Sequence, residues 1–202
     1  MAKVLIGHSA CPLTRKAFEA QGHDVWTCDL LPARDNSPNH FQCDVWEVAN
    51  AYAWDMAVMH PMCTFLTVSA AWAYADADFD KYPGVGYHQK IKPGTLTGRA
   101  RREAQAIELE NFRRLLALPY PVAIENPARS YVCTSIRKPD QCIQPYEYGD
   151  DASKITGLWL TGGLPQLRID PAQRVPGRIV DQNGKQVERW ANQTDSGQNR
   201  LS

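Results

Sequence analysis

The stretch "KVLIGHSACPLTRKAFEAQGHDVWTCDLL", residues 3–31, contains one complete strand–helix–strand unit. The apolar run at 3–7 predicts a buried strand, and 23–31 predicts a second one. Between them, 12–22 predicts a helix with a proline in its first turn and a glycine at its C-terminal end, the positions that suit these residues. Because strands joined through a helix run parallel, this unit predicts a parallel sheet.

The same alternation continues along the chain. Further strands are predicted at 41–45, 54–60 and 121–126, a long amphipathic helix at 97–118, and shorter strand-like runs at 142–148 and 156–160. This order predicts an α/β fold with a doubly wound, mostly parallel, Rossmann-like sheet. We expect one domain over residues 1–170, interrupted by a long loop at 61–98, and a small C-terminal extension at 171–202 that is partly mobile.

Composition excludes several classes of protein. The 202 residues are 44% hydrophobic and 22% charged, an ordinary globular composition. Lys plus Arg equals Asp plus Glu at 22 each, which argues against binding nucleic acid or membrane through bulk charge. The apolar stretch near residue 1 is too short to predict a secretory signal, and no apolar run approaches the roughly 18 residues that span a membrane. With six scattered cysteines, these features predict a cytoplasmic protein with reduced thiols and no membrane partner.

Polar side chains stand where the predicted strands end. In a parallel sheet ligands bind outside the carboxyl ends of the strands, and these ends meet at one edge. The residues that should converge there are Asp29, Asp44, His60, Cys63, Glu125 and Asn126.

Asp29 at the end of the second strand is suited to bind a ribose hydroxyl. It could equally be a solvated aspartate that caps a turn or a helix. The first turn, "GHSACPL" from Gly7, carries one glycine and lacks the Gly-x-Gly pair of a cofactor loop.

Cys63 has four interpretations. It could be a packed apolar residue, a redox thiol, or a zinc ligand with His60 and Cys133 or Cys142. It could also be a nucleophile, which requires an acid partner at the same edge, and Glu125 stands in a suitable place. Because paired Cys-x-x-Cys motifs are missing, we predict that no metal is bound.

Two features of the long loop and the following helix could contact a nucleic acid. The aromatic residues of 65–87 could stack on a base or could pack the loop onto the sheet. A cationic set near the start of the long helix could hold phosphates or could be a solvated helix start. That set consists of Lys90, Lys92, Arg99, Arg101 and Arg102.

The segments "WDMAVMHPMCTFLTVS" (54–69) and "VAIENP" (122–127) resemble the cytosine carbon-5 DNA methyltransferases. In that family the catalytic strand ends in Pro-Cys and the next strand ends in Glu-Asn-Val. The chain resembles more closely a group of short phage and prophage proteins of this type, which lack a large target-recognition domain. The matching segments are "GHDVWTCDLLP" (22–32), "HPMCTFLTVSAAW" (60–72), "IENP" (124–127) and "IQPYEYGDDASKITGLWLTGGLPQL" (143–167).

The resemblance implies a methyltransferase of DNA or of a pyrimidine nucleotide that uses S-adenosylmethionine, working in a bacterial host cell. It implies that Cys63 is the nucleophile and that Glu125 contacts ring nitrogen 3. It also implies that Asn126 organises the edge of the sheet at which these residues meet. The expected cofactor contacts are Gly7, Asp29 at the ribose, Leu30, Asp44 at the adenine, and His60. The expected substrate or phosphate contacts are Ser69, Arg99, Arg101 and Arg102.

Two other hypotheses remain open. One is a non-catalytic protein on the same fold that binds nucleotides or nucleic acid, such as a phage accessory or counter-defence protein. The other is a zinc-stabilised α/β protein with unrelated chemistry.

Overall fold

The computed structural model describes residues 1–76, 93–183, 185–189, 194–195 and 198–199. Within these residues, no helix is long and apolar enough to cross a membrane.

A seven-stranded sheet forms the centre of the molecule. Its strands are β1 (Lys3–Gly7), β2 (Asp24–Asp29), β3 (His40–Gln42), β4 (Met56–Met59), β5 (Val122–Pro127), β6 (Gln141–Ile143) and β7 (Thr156–Leu160). The spatial order is β3-β2-β1-β4-β5-β7-β6. The first five strands pair in parallel, and only β7 is reversed, since it runs antiparallel to both β5 and β6.

Helices cover both faces of this sheet. They are α1 (Pro12–Glu19), α2 (Val45–Ala49), α3 (Gly98–Leu116) and α4 (Val132–Ser135). Three 3₁₀ turns lie in the connections, at Val68–Tyr74, Pro145–Tyr148 and Pro171–Gln173. Side chains alternate along a strand. In β1, Leu5 therefore packs with residues of α2, α3 and α4, while Val4 and Ile6 pack on the other face with Phe18 of α1. The predicted fold class, a doubly wound and mostly parallel Rossmann-like sheet, is confirmed.

A small C-terminal extension follows the sheet. It contains an antiparallel hairpin of β8 (Arg178–Gln182) and β9 (Lys185–Arg189), then a short pair, β10 (Thr194–Asp195) and β11 (Gln198–Asn199). The predicted mobility of this extension and its boundary at 171 stay predictions.

The predicted third strand is wrong in its second half. Strand β3 ends at Gln42, and Val45 begins α2 instead. Asp44 causes the change, because its carboxylate accepts a hydrogen bond from the Trp46 N–H at 2.9 Å. The Glu47 carboxylate in turn accepts from the Asp44 N–H at 3.1 Å, which completes a capping box.

Two other predicted boundaries are also wrong. Helix α1 ends at Glu19, and the chain then turns through Gly22, which has a φ of +82°. The run at 142–148 is a strand only up to Ile143, because Pro145 begins a 3₁₀ turn.

Phe112 of α3 anchors the larger core. Its side chain is 0% exposed and meets the ring of Trp159 edge-on, with 5.2 Å between ring centroids. We expect Phe112→Ala to lower the free energy of unfolding by about 3–5 kcal/mol in urea denaturation. Ile107 lies on the same helix but is 62% exposed, so Ile107→Ala should change it by less than about 0.5 kcal/mol. Equal losses in the two variants would contradict this assignment of the core face.

Candidate active site

Because β1, β2, β4 and β5 run parallel, their carboxyl ends lie at one edge of the sheet. Gly7 ends β1, Asp29 ends β2, His60 directly follows β4, and Glu125 lies near the end of β5. The His60 N–H donates to the Gly7 carbonyl at 3.0 Å, which holds the residue after β4 against the end of β1. The sequence-predicted residues of the strand ends therefore surround this edge.

A cavity of about 360 Å³ opens at the same edge. This volume lies within the roughly 300–1,000 Å³ of small-molecule sites. Its lining consists of His8, Cys28, Asp29, Leu30, Cys43, Asp44, Val45, Trp46, His60, Met62, Glu108 and Asn111. The lining includes three carboxylic acids and, among the described residues, neither Lys nor Arg. Such a cavity favours a ligand that carries positive charge.

Four of the five predicted cofactor residues line this cavity, namely Asp29, Leu30, Asp44 and His60. The Asp29 carboxylate accepts a hydrogen bond from the Leu31 N–H at 2.9 Å, and Asp44 caps α2. Asp29 therefore stabilises a turn and also lines the cavity, and its contact with a ribose stays a prediction. These hydrogen bonds from backbone N–H groups orient the carboxylates of Asp29 and Asp44 before any ligand binds.

Gly7, the fifth predicted cofactor residue, allows close packing beside the cavity. A Cβ placed there would lie 2.3 Å from Met59 Sδ and 2.9 Å from Val45 Cγ2. Real Cβ atoms do not approach other atoms this closely, so a larger residue would require the side chains of Met59 and Val45 to shift. The structure explains this glycine by packing.

His8 is a cavity residue that the sequence analysis missed. It has a φ of +57°, which is uncommon outside glycine, and its buried Nδ1 has no hydrogen-bond partner among the described residues. Burial lowers the pKa of His8, although Asp29 and Asp44 oppose this shift. This conformation and the unpaired buried nitrogen make His8 a candidate functional residue. The only sequence signal was its position directly after β1.

Cys63 lies on the turn that follows β4 and is exposed. Its carbonyl accepts hydrogen bonds from the N–H groups of Leu66 and Thr67, both at 2.9 Å. The buried Asn126 secures the start of this turn, because its Nδ2 donates to the Pro61 carbonyl at 3.1 Å. The organising role that the resemblance implies for Asn126 stays a prediction.

The Glu125 carboxylate lies between two nitrogen groups. His60 Nδ1 is 3.4 Å from Oε2, and Lys154 Nζ is 3.7 Å from Oε1. Burial alone would raise the pKa of Glu125, but the hydrogen bond with His60 and the charge of Lys154 outweigh it, so the pKa is lowered. The sequence analysis missed Lys154, which precedes β7 and meets Glu125 only through the antiparallel pairing of β7 with β5.

The thiol of Cys63 is affected by the same charges. Partial burial raises its pKa, Lys154 opposes this shift, and the carboxylate of Glu125 adds to it. These influences place the thiol, the carboxylate and the ammonium group in one electrostatic cluster.

The three predicted phosphate-binding arginines differ in their surroundings. Arg101 is only 3% exposed, and its guanidinium donates to the Thr64 carbonyl at 2.7 Å. Because it also lies against the rings of Phe65 and Tyr74, Arg101 holds the loop in place and does not face solvent. This corrects the prediction for Arg101.

Arg99 and Arg102 are exposed, as is Ser69. Arg99 pairs with Glu103 at 2.7 Å, and Arg102 pairs with Asp76 at 3.0 Å. Lys90, Lys92 and the aromatic residues Phe79, Tyr82 and Tyr87 lie outside the described residues. Within the part of the chain that is described, no three His, Cys, Asp or Glu residues are placed to hold a metal ion.

Comparison with known proteins gives little beyond the fold. No family model matches the chain, and no curated protein matches it. Among solved structures, it is similar to an E. coli prophage protein whose designation as a DNA modification methyltransferase is itself provisional. The identity is 14%, the TM-score is 0.46, and the alignment covers 79% of this chain and 46% of that protein. The chain thus spans less than half the length of that protein, and we base no function on this similarity.

Proposed function

We propose that this protein is an S-adenosylmethionine-dependent methyltransferase that acts on carbon 5 of cytosine, in DNA or in a nucleotide. The observation that carries the proposal is the position of His60. It lines the acidic cavity and also contacts Glu125, whose charge reaches Cys63. A cofactor in the cavity would therefore lie beside a thiol and a carboxyl group, the two groups that this chemistry requires.

The acidic cavity suits the methyl donor. S-adenosylmethionine supplies an electrophilic methyl group on a positively charged sulfonium, and the carboxylates of Asp29, Asp44 and Glu108 favour positive charge. Asp29 would accept hydrogen bonds from the ribose hydroxyls and Asp44 from the adenine amino group. Leu30, which is exposed beside Asp29, would cover an apolar face of the ligand.

Cys63 and Glu125 would activate the cytosine ring. The Cys63 thiolate adds to carbon 6 and pushes an electron pair towards carbon 5, which becomes nucleophilic enough to take the methyl group. A protonated Glu125 donates a hydrogen bond to ring nitrogen 3 and so stabilises the charge that the addition creates. A water molecule would then take the proton from carbon 5 as the Cys63 thiolate is expelled, which leaves the methylated cytosine and S-adenosylhomocysteine. Lys154 favours the thiolate form of Cys63.

The substrate must present an accessible base. Cys63 is exposed on its turn, but a cytosine within a duplex would have to be flipped out to reach it. Arg99, Arg102 and Ser69 are exposed and are proposed to contact phosphate groups. Arg101 is left out of this set because its guanidinium is buried.

One observation favours the second candidate, a non-catalytic binder of nucleotides or nucleic acid. The pKa of Cys63 is raised and that of Glu125 is lowered, so each favours the protonation state opposite to the one used in catalysis. A binder would use the same cavity and edge without forming a covalent bond. Methyl transfer therefore decides between the two candidates.

Calorimetric titration with S-adenosylhomocysteine tests the cofactor assignment. We expect Asp29→Asn to weaken binding by about tenfold or more, because hydrogen bonds to a charged group contribute about 1.5–3 kcal/mol. Asp24 is the matched control, since it begins the same strand and its carboxylate accepts from Trp26 Nε1 at 3.1 Å. Asp24→Asn should bind as the unchanged protein does. Failure of the unchanged protein to bind would refute the cofactor assignment, and equal affinities in both variants would refute the role of Asp29.

A further inference from the structure

We propose that His60 and Glu125 share one proton and act as a single acid, in which His60 sets the protonation of Glu125 and refills it from solvent. The catalytic use of this pair rests on the proposed function. The sharing of the proton is a property of the protein alone.

The geometry of the two residues supports this proposal. They come from adjacent parallel strands, and the contact between His60 Nδ1 and Glu125 Oε2 is 3.4 Å long. The His60 backbone is fixed by its hydrogen bond to the Gly7 carbonyl, and Asn126 holds the Pro61 carbonyl immediately after it. The imidazole is thus kept beside the carboxylate.

The surroundings allow the proton to be exchanged. The side chain of His60 is 30% exposed, and that of Glu125 is 25% exposed, so neither is sealed from water. A histidine changes charge between about pH 5 and 8, which a carboxylate alone does not do. His60 therefore supplies a proton donor beside Glu125, whose own pKa is lowered by this contact.

The other groups that face the pair come from three elements. Lys154 precedes β7 and contacts Glu125 Oε1, while Cys63 lies on the turn after β4. His8 follows β1 and faces His60. The charge of Lys154 contributes to the lowered pKa of Glu125.

The proton balance during catalysis is simple. When the cytosine ring binds, the imidazolium of His60 gives its proton to the Glu125 carboxylate and becomes neutral. The resulting carboxyl group donates to ring nitrogen 3. When the product leaves, Glu125 releases this proton to water and His60 takes one up from water, so the pair again holds one proton. No oxidant, metal or further reactant is needed.

Nuclear magnetic resonance titration of labelled Glu125 and His60 tests the sharing without cofactor or substrate. In the unchanged protein both signals should titrate in the same steps, as interacting groups do. His60→Asn keeps a hydrogen-bond donor but cannot carry the charge, so the pKa of Glu125 should rise. Glu125→Gln removes the carboxylate, so the joint steps should be lost.

Two variants serve as controls for this titration. Lys154→Met should raise the pKa of Glu125 but leave the joint titration of the two signals intact. His40→Asn should leave both titrations unchanged, because His40 pairs with the Thr27 hydroxyl at 2.8 Å and not with a carboxylate. Titration of His60 and Glu125 in separate steps, each unaffected by replacement of the other, would overturn the proposal.

A second experiment tests the use of the proton in catalysis. The rate at which Cys63 forms an adduct with cytosine, at saturating methyl donor, should have a bell-shaped dependence on pH, with the alkaline limb set by the pair. In His60→Asn this limb should move to lower pH, and the rate near pH 7 should fall by about 100-fold. A rate reduced equally at every pH, or an unchanged profile, would overturn the catalytic role. If the unchanged protein forms no adduct although the titrations are joint, the proposed function fails while the shared proton stands.

Discussion

Replacing Cys63 by serine should abolish methyl transfer, with a rate at least about 10⁴-fold lower than that of the unchanged protein, as expected when a covalent nucleophile is removed. A serine hydroxyl is far harder to ionise than a thiol and cannot form the adduct at carbon 6. The rate would be measured as transfer of labelled methyl groups from S-adenosylmethionine to cytosine-containing DNA and to free deoxycytidine nucleotides.

The replacement is nearly isosteric and lies on an exposed turn, so the fold and the binding of the methyl donor should be preserved. Cys142 provides the matched control, because it is also exposed but lies in β6 and outside the cluster around Glu125. Cys142→Ser should transfer methyl groups at the unchanged rate. Retention of activity in Cys63→Ser would rule out this thiol as the nucleophile.

Replacing Glu125 by glutamine should slow methyl transfer by about 10²–10⁴-fold, the usual contribution of a general acid. The amide has nearly the same shape but cannot give a proton to ring nitrogen 3. The same change should make the thiol of Cys63 more reactive. Because the carboxylate of Glu125 raises the pKa of Cys63, its removal should lower that pKa and speed alkylation of Cys63 by iodoacetamide near neutral pH.

These opposite effects separate a chemical role from simple damage to the fold. A misfolded variant would lose methyl transfer without a specific gain in thiol reactivity at one cysteine, which peptide mapping would reveal. Glu110→Gln is the control, since Glu110 pairs with Arg113 on the exposed side of α3. It should change neither measurement. If Glu125→Gln slowed both the transfer and the alkylation, the proposed electrostatic coupling would be incorrect.

The strands and the edge they form were predictable because they depend on local patterns. Apolar runs of strand length, separated by helical periodicity, identify a parallel sheet, and the rule that strand ends converge brings Asp29 and Glu125 to one edge. The start of α2 was missed although Asp44 and Glu47 form a recognisable capping box. The strand predicted at 41–45 includes Asp44, the first residue of that motif.

The remaining features depend on contacts between distant parts of the chain. Lys154 reaches Glu125 only because β7 is reversed, and Glu108 enters the cavity wall only because of how α3 crosses the sheet. Arg101 looked like a surface cation, and its burial became visible only with the loop folded over it. No sequence motif marks His8. Its positive φ arises only in the folded turn after β1.

Mass spectrometry of a trapped adduct tests the central claim most directly. The protein would be incubated with S-adenosylmethionine and either DNA or a nucleotide that contains 5-fluorocytosine, in which fluorine prevents the loss of a proton from carbon 5. The account predicts a covalent adduct on the peptide that contains Cys63, formed with at least one of the two substrates and missing in Cys63→Ser. If the methyl donor binds but neither substrate gives an adduct at Cys63, the methyltransferase account is contradicted and the non-catalytic binder takes its place.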